Sequence, residues 1–204
     1  MKKISFIYAT IFVLLGMTSC EKDNIWGDGL AEMEHVYYIG FYKTNVNTDA
    51  LNYEIAADGA ARWRIGTGTW NNTGEVNITS PIPFQLSSER IRSYDAVTYF
   101  WVTNNGTTTL TPGTDYIVVN ESGSEIASGS GAYSLTWPET RKGIQNVKIK
   151  RLTSAKGSLR VNVLNPANGT PNASDLSTTV NNKADQYEIR GLTFDYNKVT
   201  VTFN

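Results

Sequence analysis

The fold class this sequence predicts is all-β, an antiparallel sandwich, and three observations predict it. Several short segments alternate strictly between apolar and polar residues, as half-buried strands do. Turn-forming pairs punctuate them: Asp58-Gly59, Asn104-Asn105-Gly106, Ser122-Gly123, Lys156-Gly157 and Asn168-Gly169. No segment sustains a helical period, and the abundance of Gly, Thr, Asn and Ser favours strands and tight turns. Many short strands with such punctuation suit two packed sheets, and no fixed-period repeat points to a propeller or solenoid.

The first twenty residues read as a leader. Lys2 and Lys3 supply positive charge, and Ile4 to Leu15 is almost unbroken apolar chain. That is the length of a signal-peptide core, whereas a spanning helix needs roughly 20 apolar residues. Gly16, Thr18 and Ser19 then lead to Cys20, the only cysteine of the 204 residues. The run Leu15-Gly16-Met17-Thr18-Ser19-Cys20 resembles the bacterial lipobox, with Met17 where Leu is usual. The resemblance implies that Cys20 becomes the first mature residue and carries lipid. The expected partition is a signal peptide over 1–19, a lipidated tether over 20–32, and a β-sandwich over 33–204, as one domain or two small β subdomains. With its single thiol consumed, the domain has no internal disulfide and relies on its core. Lys22 and Asp23, in the polar run Glu21 to Asn24, resemble the surface-export signal of Bacteroidota lipoproteins. They read equally as a solvated spacer.

Without Lys2 and Lys3, 16 of the 18 basic residues remain against 19 acidic ones, a formal charge of −3. No basic excess invites nucleic acid, and an aromatic content of 11% is enough for a packed core.

Along the chain, the strand candidates are Val36 to Tyr42, Leu51 to Ala56, Ala61 to Ile65, Val76 to Leu86, Val97 to Val102 and Tyr116 to Val119. Ala132 to Trp137, Val147 to Lys150, Leu159 to Val163, Tyr187 to Phe194 and Val199 to Phe203 follow. Two stretches read as loops: Glu121 to Gly131, rich in Gly and Ser, and Asn165 to Lys183, rich in Asn, Ser, Thr and Pro. Thr111-Pro112-Gly113-Thr114-Asp115-Tyr116 enters a strand. It is followed by Tyr133 to Pro138, the Lys142-Gly143 turn and the strand Gln145 to Lys150. This arrangement resembles Calx-β and related immunoglobulin-like modules. It is also similar to lipoproteins of Bacteroidota that accompany starch-utilisation-type glycan loci. The resemblance spans roughly Ile82 to Val163. It implies an immunoglobulin-like sandwich and a place in glycan capture. It does not imply calcium binding, because Asp115 and Glu139 are isolated carboxylates.

Catalytic signals are sparse. His35 is the only histidine, which excludes a multi-histidine metal site and reads as a surface or strand-edge residue. No nucleophile elbow, phosphate loop or dinucleotide fingerprint occurs, and no feature selects a carboxylate pair. The expectation is therefore a protein that is not an enzyme, with no catalytic residue, no metal and no cofactor. The sequons at Asn77 and Asn120 are chance products of an Asn- and Thr-rich chain.

Aromatic residues remain as candidates, because sugar C–H faces pack on rings while amides and charges bind hydroxyls. Trp63 alternates with Arg62 and Arg64, so it should face the core with Ile65. Trp101, in Tyr99-Phe100-Trp101-Val102, reads as core in a strand buried on both faces. Trp26 reads as packing near the tether. The candidate ligand-binding residues are Trp70, Asn71, Asn72 and Trp137. The expected function is glycan binding or capture for nutrient uptake at the outer membrane, lipid-anchored and facing the cell surface. The membrane is engaged through the lipid, and the partners are polysaccharide or outer-membrane transport proteins, without nucleic acid. The alternative is a structural or protein-interaction subunit of a surface assembly or adhesin.

Overall fold

The structure, a computed structural model, describes residues 35–43, 50–88, 92–139, 142–172, 174–193 and 196–204. Cys20, the leader, the tether and Trp26 lie outside the described residues. His35–Asn204 forms one compact unit.

Among the described residues, thirteen strands build two packed sheets. They are β1 (Val36–Phe41), β2 (Leu51–Ile55), β3 (Ala60–Ile65), β4 (Asn71–Val76), β5 (Ile82–Ser87), β6 (Ala96–Asn104), β7 (Tyr116–Asn120), β8 (Ala132–Trp137), β9 (Lys142–Arg151), β10 (Gly157–Asn162), β11 (Val180–Ala184), β12 (Tyr187–Gly191) and β13 (Lys198–Phe203). The first sheet runs β11-β12-β1-β5-β9-β7 and the second β4-β3-β2-β13-β10-β6-β8. Short 3-10 turns occur at Pro166–Asn168 and Leu176–Thr179. This is the all-β sandwich that the alternation predicts.

Strand direction differs in two places from an all-antiparallel arrangement. β1 pairs parallel with β12, and β13 pairs parallel with β2. Alternation reports which face a side chain takes, not the direction of a distant neighbour, so the sequence carries no local mark of these pairings. Two strands lie where the sequence signals none. β4 is Asn-Asn-Thr-Gly-Glu-Val, exposed nearly throughout, so no apolar face marks it. β11, Val-Asn-Asn-Lys-Ala, lies, all but its last residue, inside the stretch read as loop. The Val76 to Leu86 candidate is two elements: Asn77 takes φ 55°, and the chain crosses from the second sheet to the first before β5 begins at Ile82.

The core is the common inner face of both sheets. Phe41, Phe84, Phe100 and Tyr133 form a chain of ring contacts across it, with centroid separations of 4.8, 4.8 and 5.1 Å. Such contacts add about 0.5–1.5 kcal/mol each beyond area burial. They link β1 and β5 of one sheet to β6 and β8 of the other.

One seam is closed by side chains rather than by a backbone ladder. β10 pairs with β6 only as far as Asn162 opposite Trp101, leaving the earlier part of β6 without a strand on that side. Asn181 of β11 fills the gap. Its Oδ1 accepts from the Tyr99 N–H at 3.0 Å, and its Nδ2 donates to Tyr99 O at 2.7 Å and Val163 O at 2.6 Å. The carboxamide thus stands in for a peptide group. Alongside it, Asn182 Nδ2 donates to Val97 O and Tyr187 Oη accepts from the Val97 N–H.

Candidate functional site

Where the chain leaves β10 at this seam, the outer face of the second sheet opens into a groove of about 550 Å³. Its wall is the 165–172 loop, which the sequence itself orders. Asn165 Oδ1 accepts from the Ala167 N–H, Pro166 opens the 3-10 turn, and Gly169 ends it at φ 83°. Further on, Thr178 Oγ1 accepts from the Asn172 N–H, and Asp175 caps the second turn through the Ser177 N–H.

The floor follows from strand alternation. On β10, Leu159 and Val161 are buried, so Arg160 and Asn162 face out; on β13, Val199 and Val201 are buried, so Lys198 and Thr200 face out. Register then sets the neighbours. Asn162 lies opposite Lys198 on one side and Trp101 on the other, while Arg160 lies opposite Thr200 and Thr103. Asn162 Nδ2 donates to Thr103 Oγ1 at 3.3 Å and Arg160 O at 3.2 Å, which holds the amide in place. Neither Arg160 nor Lys198 has an ion-pair partner among the described residues. Trp101 is half-buried beside Tyr99, with ring centroids 6.5 Å apart.

The same outward row continues across the sheet from Arg160 through Thr200 and Asn52 to Arg64. Arg64 meets Trp70, its guanidinium carbon 4.3 Å from the ring centroid, and Arg62 approaches the same ring at 5.3 Å. Arg62 is otherwise committed to buried Glu54, through Nε–Oε2 at 3.0 Å and Nη2–Oε1 at 2.7 Å, and Asn204 Nδ2 also donates to Glu54. The bond to Glu54 foremost raises the Arg62 pKa further. Among the described residues Arg64 has no carboxylate, and its buried Nε has no hydrogen-bond partner.

The sequence-selected residues fall in different places. Trp70 is half-buried and serves as a seat for arginine rather than as a bare platform. Asn71 and Asn72 are exposed on edge strand β4; Asn71 Nδ2 donates to Trp63 O and Thr69 O. Trp137 is a correction. Only 1% exposed, with its indole N–H on Thr98 Oγ1 at 2.8 Å, it presents no face to a ligand. It belongs to the inward set Tyr133, Leu135 and Trp137, a period-two signal that identifies it as core. Trp101 is the opposite correction: Val97, Tyr99 and Trp101 are the partly exposed set of β6, alternating with buried Ala96, Thr98 and Phe100. Trp63 and Ile65 pack against the core as expected. Arg160, Asn162 and Lys198 were missed as a group in the sequence: alternation in Leu159 to Val163 turns the first two outward, but their meeting with Lys198 depends on register.

Two other places are chemically distinct. A cleft of about 130 Å³ at the edge of the core is lined by Tyr42, Leu51, Tyr53, Trp63, Pro81 and Pro83. It is largely apolar, and the Tyr53 hydroxyl is already engaged on Pro81 O, its pKa pushed up by burial. Asp115 locks its own turn: the Thr111 N–H and then the Thr153 hydroxyl hold its carboxyl below the usual range. Among the described residues no group of three or more His, Cys, Asp or Glu side chains could hold a metal.

No family model matches this chain, and no curated protein does. Among solved structures, it is similar to a two-domain protein of unknown function from Bacteroides fragilis, at 9% identity and a TM-score of 0.39. That match covers 90% of this chain and 50% of the other, so the chain spans about half the neighbour's length.

Proposed function

We propose that this protein is a lipid-anchored, non-catalytic cell-surface protein that captures glycan on the outer face of its second sheet. The observation that carries the reading is the groove floored by Arg160, Asn162 and Lys198, with Trp101 opposite Asn162 on the neighbouring strand. The half-exposed ring of Trp101 offers a sugar C–H face, and a fixed amide with two cations offers partners for oxygen atoms around it. The lipobox-like run ending at Cys20 supports the anchor. The likeness of the Ile82 to Val163 segment to lipoproteins of glycan loci supports the outer-membrane setting and a role in nutrient uptake. The test is a polysaccharide array probed with the protein lacking its leader and with Trp101→Ala. Binding that Trp101→Ala abolishes supports the reading; a blank array removes it. Cys20→Ser should move the protein from the membrane to the soluble fraction.

The rival reading, a subunit that docks through an open sheet edge, finds its best candidate in β4. That edge is blunted, because its register shifts between Ala60 and Arg62 and Gly74 takes φ 76°.

A further inference from the structure

The charge pattern of the second sheet narrows the ligand, on the assumption that the glycan reading holds. Its seven strands contain four basic residues, Arg62, Arg64, Arg160 and Lys198, and two acids, Glu54 and Glu75. Glu54 is spent on Arg62, and Glu75 on Lys148 of the other sheet at 2.6 Å. The loop that walls the groove, 165–172, contains no charged residue. Three cations are therefore left without a carboxylate on one face of a chain whose formal net charge is −1.

Their placement is regular. Lys198 and Arg160 are diagonal neighbours on paired strands, about 7 Å apart. Arg64 lies three strands away in the same row as Arg160, at about 4.8 Å per strand, or roughly 14 Å. Between them the row holds only Asn52 and Thr200, both neutral hydrogen-bonding side chains. Arg64 is fixed against Trp70 with an unpartnered Nε, so part of the entropy of ordering it is already lost before a ligand arrives. Guanidinium groups recognise carboxylate and sulfate oxygens through paired, charge-assisted hydrogen bonds.

We infer that this face binds an extended acidic polysaccharide. Arg160 and Lys198 take one carboxylate or sulfate in the groove, Arg64 takes another farther along the chain, and Trp101 packs on a sugar ring beside the first. A neutral glycan would leave three desolvated cations without compensation.

The experiment measures binding of the leaderless protein to polygalacturonate, to its carboxyl-reduced neutral form, to chondroitin sulfate and to duplex DNA. Polygalacturonate or chondroitin sulfate should bind, with affinity falling as salt rises. The carboxyl-reduced polymer should bind at least about tenfold more weakly, and Arg160→Ala with Lys198→Ala should cost a similar factor. Arg64→Ala should cost a smaller one, and thermal melts should show each variant folded. Equal binding of acidic and reduced polymers, undiminished in the Arg160/Lys198 variant but lost in Trp101→Ala, would overturn the acidic ligand and leave glycan capture standing. Binding of DNA as tight as either acidic polymer would also overturn it, by showing charge attraction without sugar recognition. Failure of all three polysaccharides would overturn it, and the array decides whether glycan capture falls too.

Discussion

The two outer faces of this sandwich differ in how many of their cations are matched by carboxylates. On the first sheet, three basic side chains sit against carboxylates: Arg190 meets Glu188 at 2.6 Å, Lys183 meets the same carboxyl at 3.3 Å, and Lys148 meets Glu75 at 2.6 Å, while Lys150 has no such partner among the described residues. On the second, Arg62 is paired with Glu54, but Arg64, Arg160 and Lys198 stand without such partners among the described residues. Paired charges on a surface add little to stability, and unpaired ones add nothing. What differs is availability. Groups already matched must break a contact to meet a ligand, whereas unmatched cations held on a rigid sheet need only shed water. The contrast teaches that a binding face can be recognised by what the fold leaves uncompensated.

Substitutions can break or sharpen this contrast. The largest effect separates inside from outside on neighbouring strands. Trp137→Ala should cost about 3–5 kcal/mol through cavity formation and the orphaned Thr98 hydroxyl. Trp101→Ala should cost less than about 1 kcal/mol; urea melts of the two variants would check this. Next is the seam joining the two sheets. Asn181→Leu removes three hydrogen bonds and leaves Tyr99 and Val163 backbone groups unsatisfied, so denaturant unfolding should register a loss of about 2–4 kcal/mol. A smaller effect is pH-dependent. Burial raises the Glu188 pKa, but bonds from Arg190 and Lys183 outweigh it and hold the carboxyl below its ordinary value of 4.5. A carboxyl depressed on folding stabilises above its unfolded pKa, and this contribution is lost as pH falls through the folded value. Stability should therefore decline from about pH 4.5 downward, and Glu188→Gln should flatten that limb by under about 1 kcal/mol in melts across pH. Smallest of all, Arg160→Ala should change the melting free energy by no more than about 0.5 kcal/mol, since it holds nothing in place.

Much of the sandwich was legible because burial imposes period two. Val199 and Val201, and Leu159 and Val161, each declare an inner face; Tyr133, Leu135 and Trp137 do too, a pattern that the expectation of Trp137 as a ligand-binding residue passed over. β4 and β11 were not legible, since an exposed edge and a strand that works through asparagine side chains have no apolar stripe. Trp101 misled because four bulky residues in a row suggest two buried faces, whereas Tyr99 and Trp101 share the outer one. The site was legible only in fragments. Alternation turns Arg160 and Asn162 outward, whereas Trp101 reads as core and Lys198 lies just before the expected strand; their convergence needs the β13-β10-β6 order, a product of long-range pairing that no local pattern encodes.

The parallel placement of β13 has a consequence for assembly in time. Within the second sheet, β4-β3-β2 and β10-β6-β8 are separate ladders until β13 enters between them. Such dependence on distant partners makes folding slow. A chain delivered N-terminal end first, whether from a ribosome or through a membrane pore, holds no continuous second sheet until Phe203 has arrived.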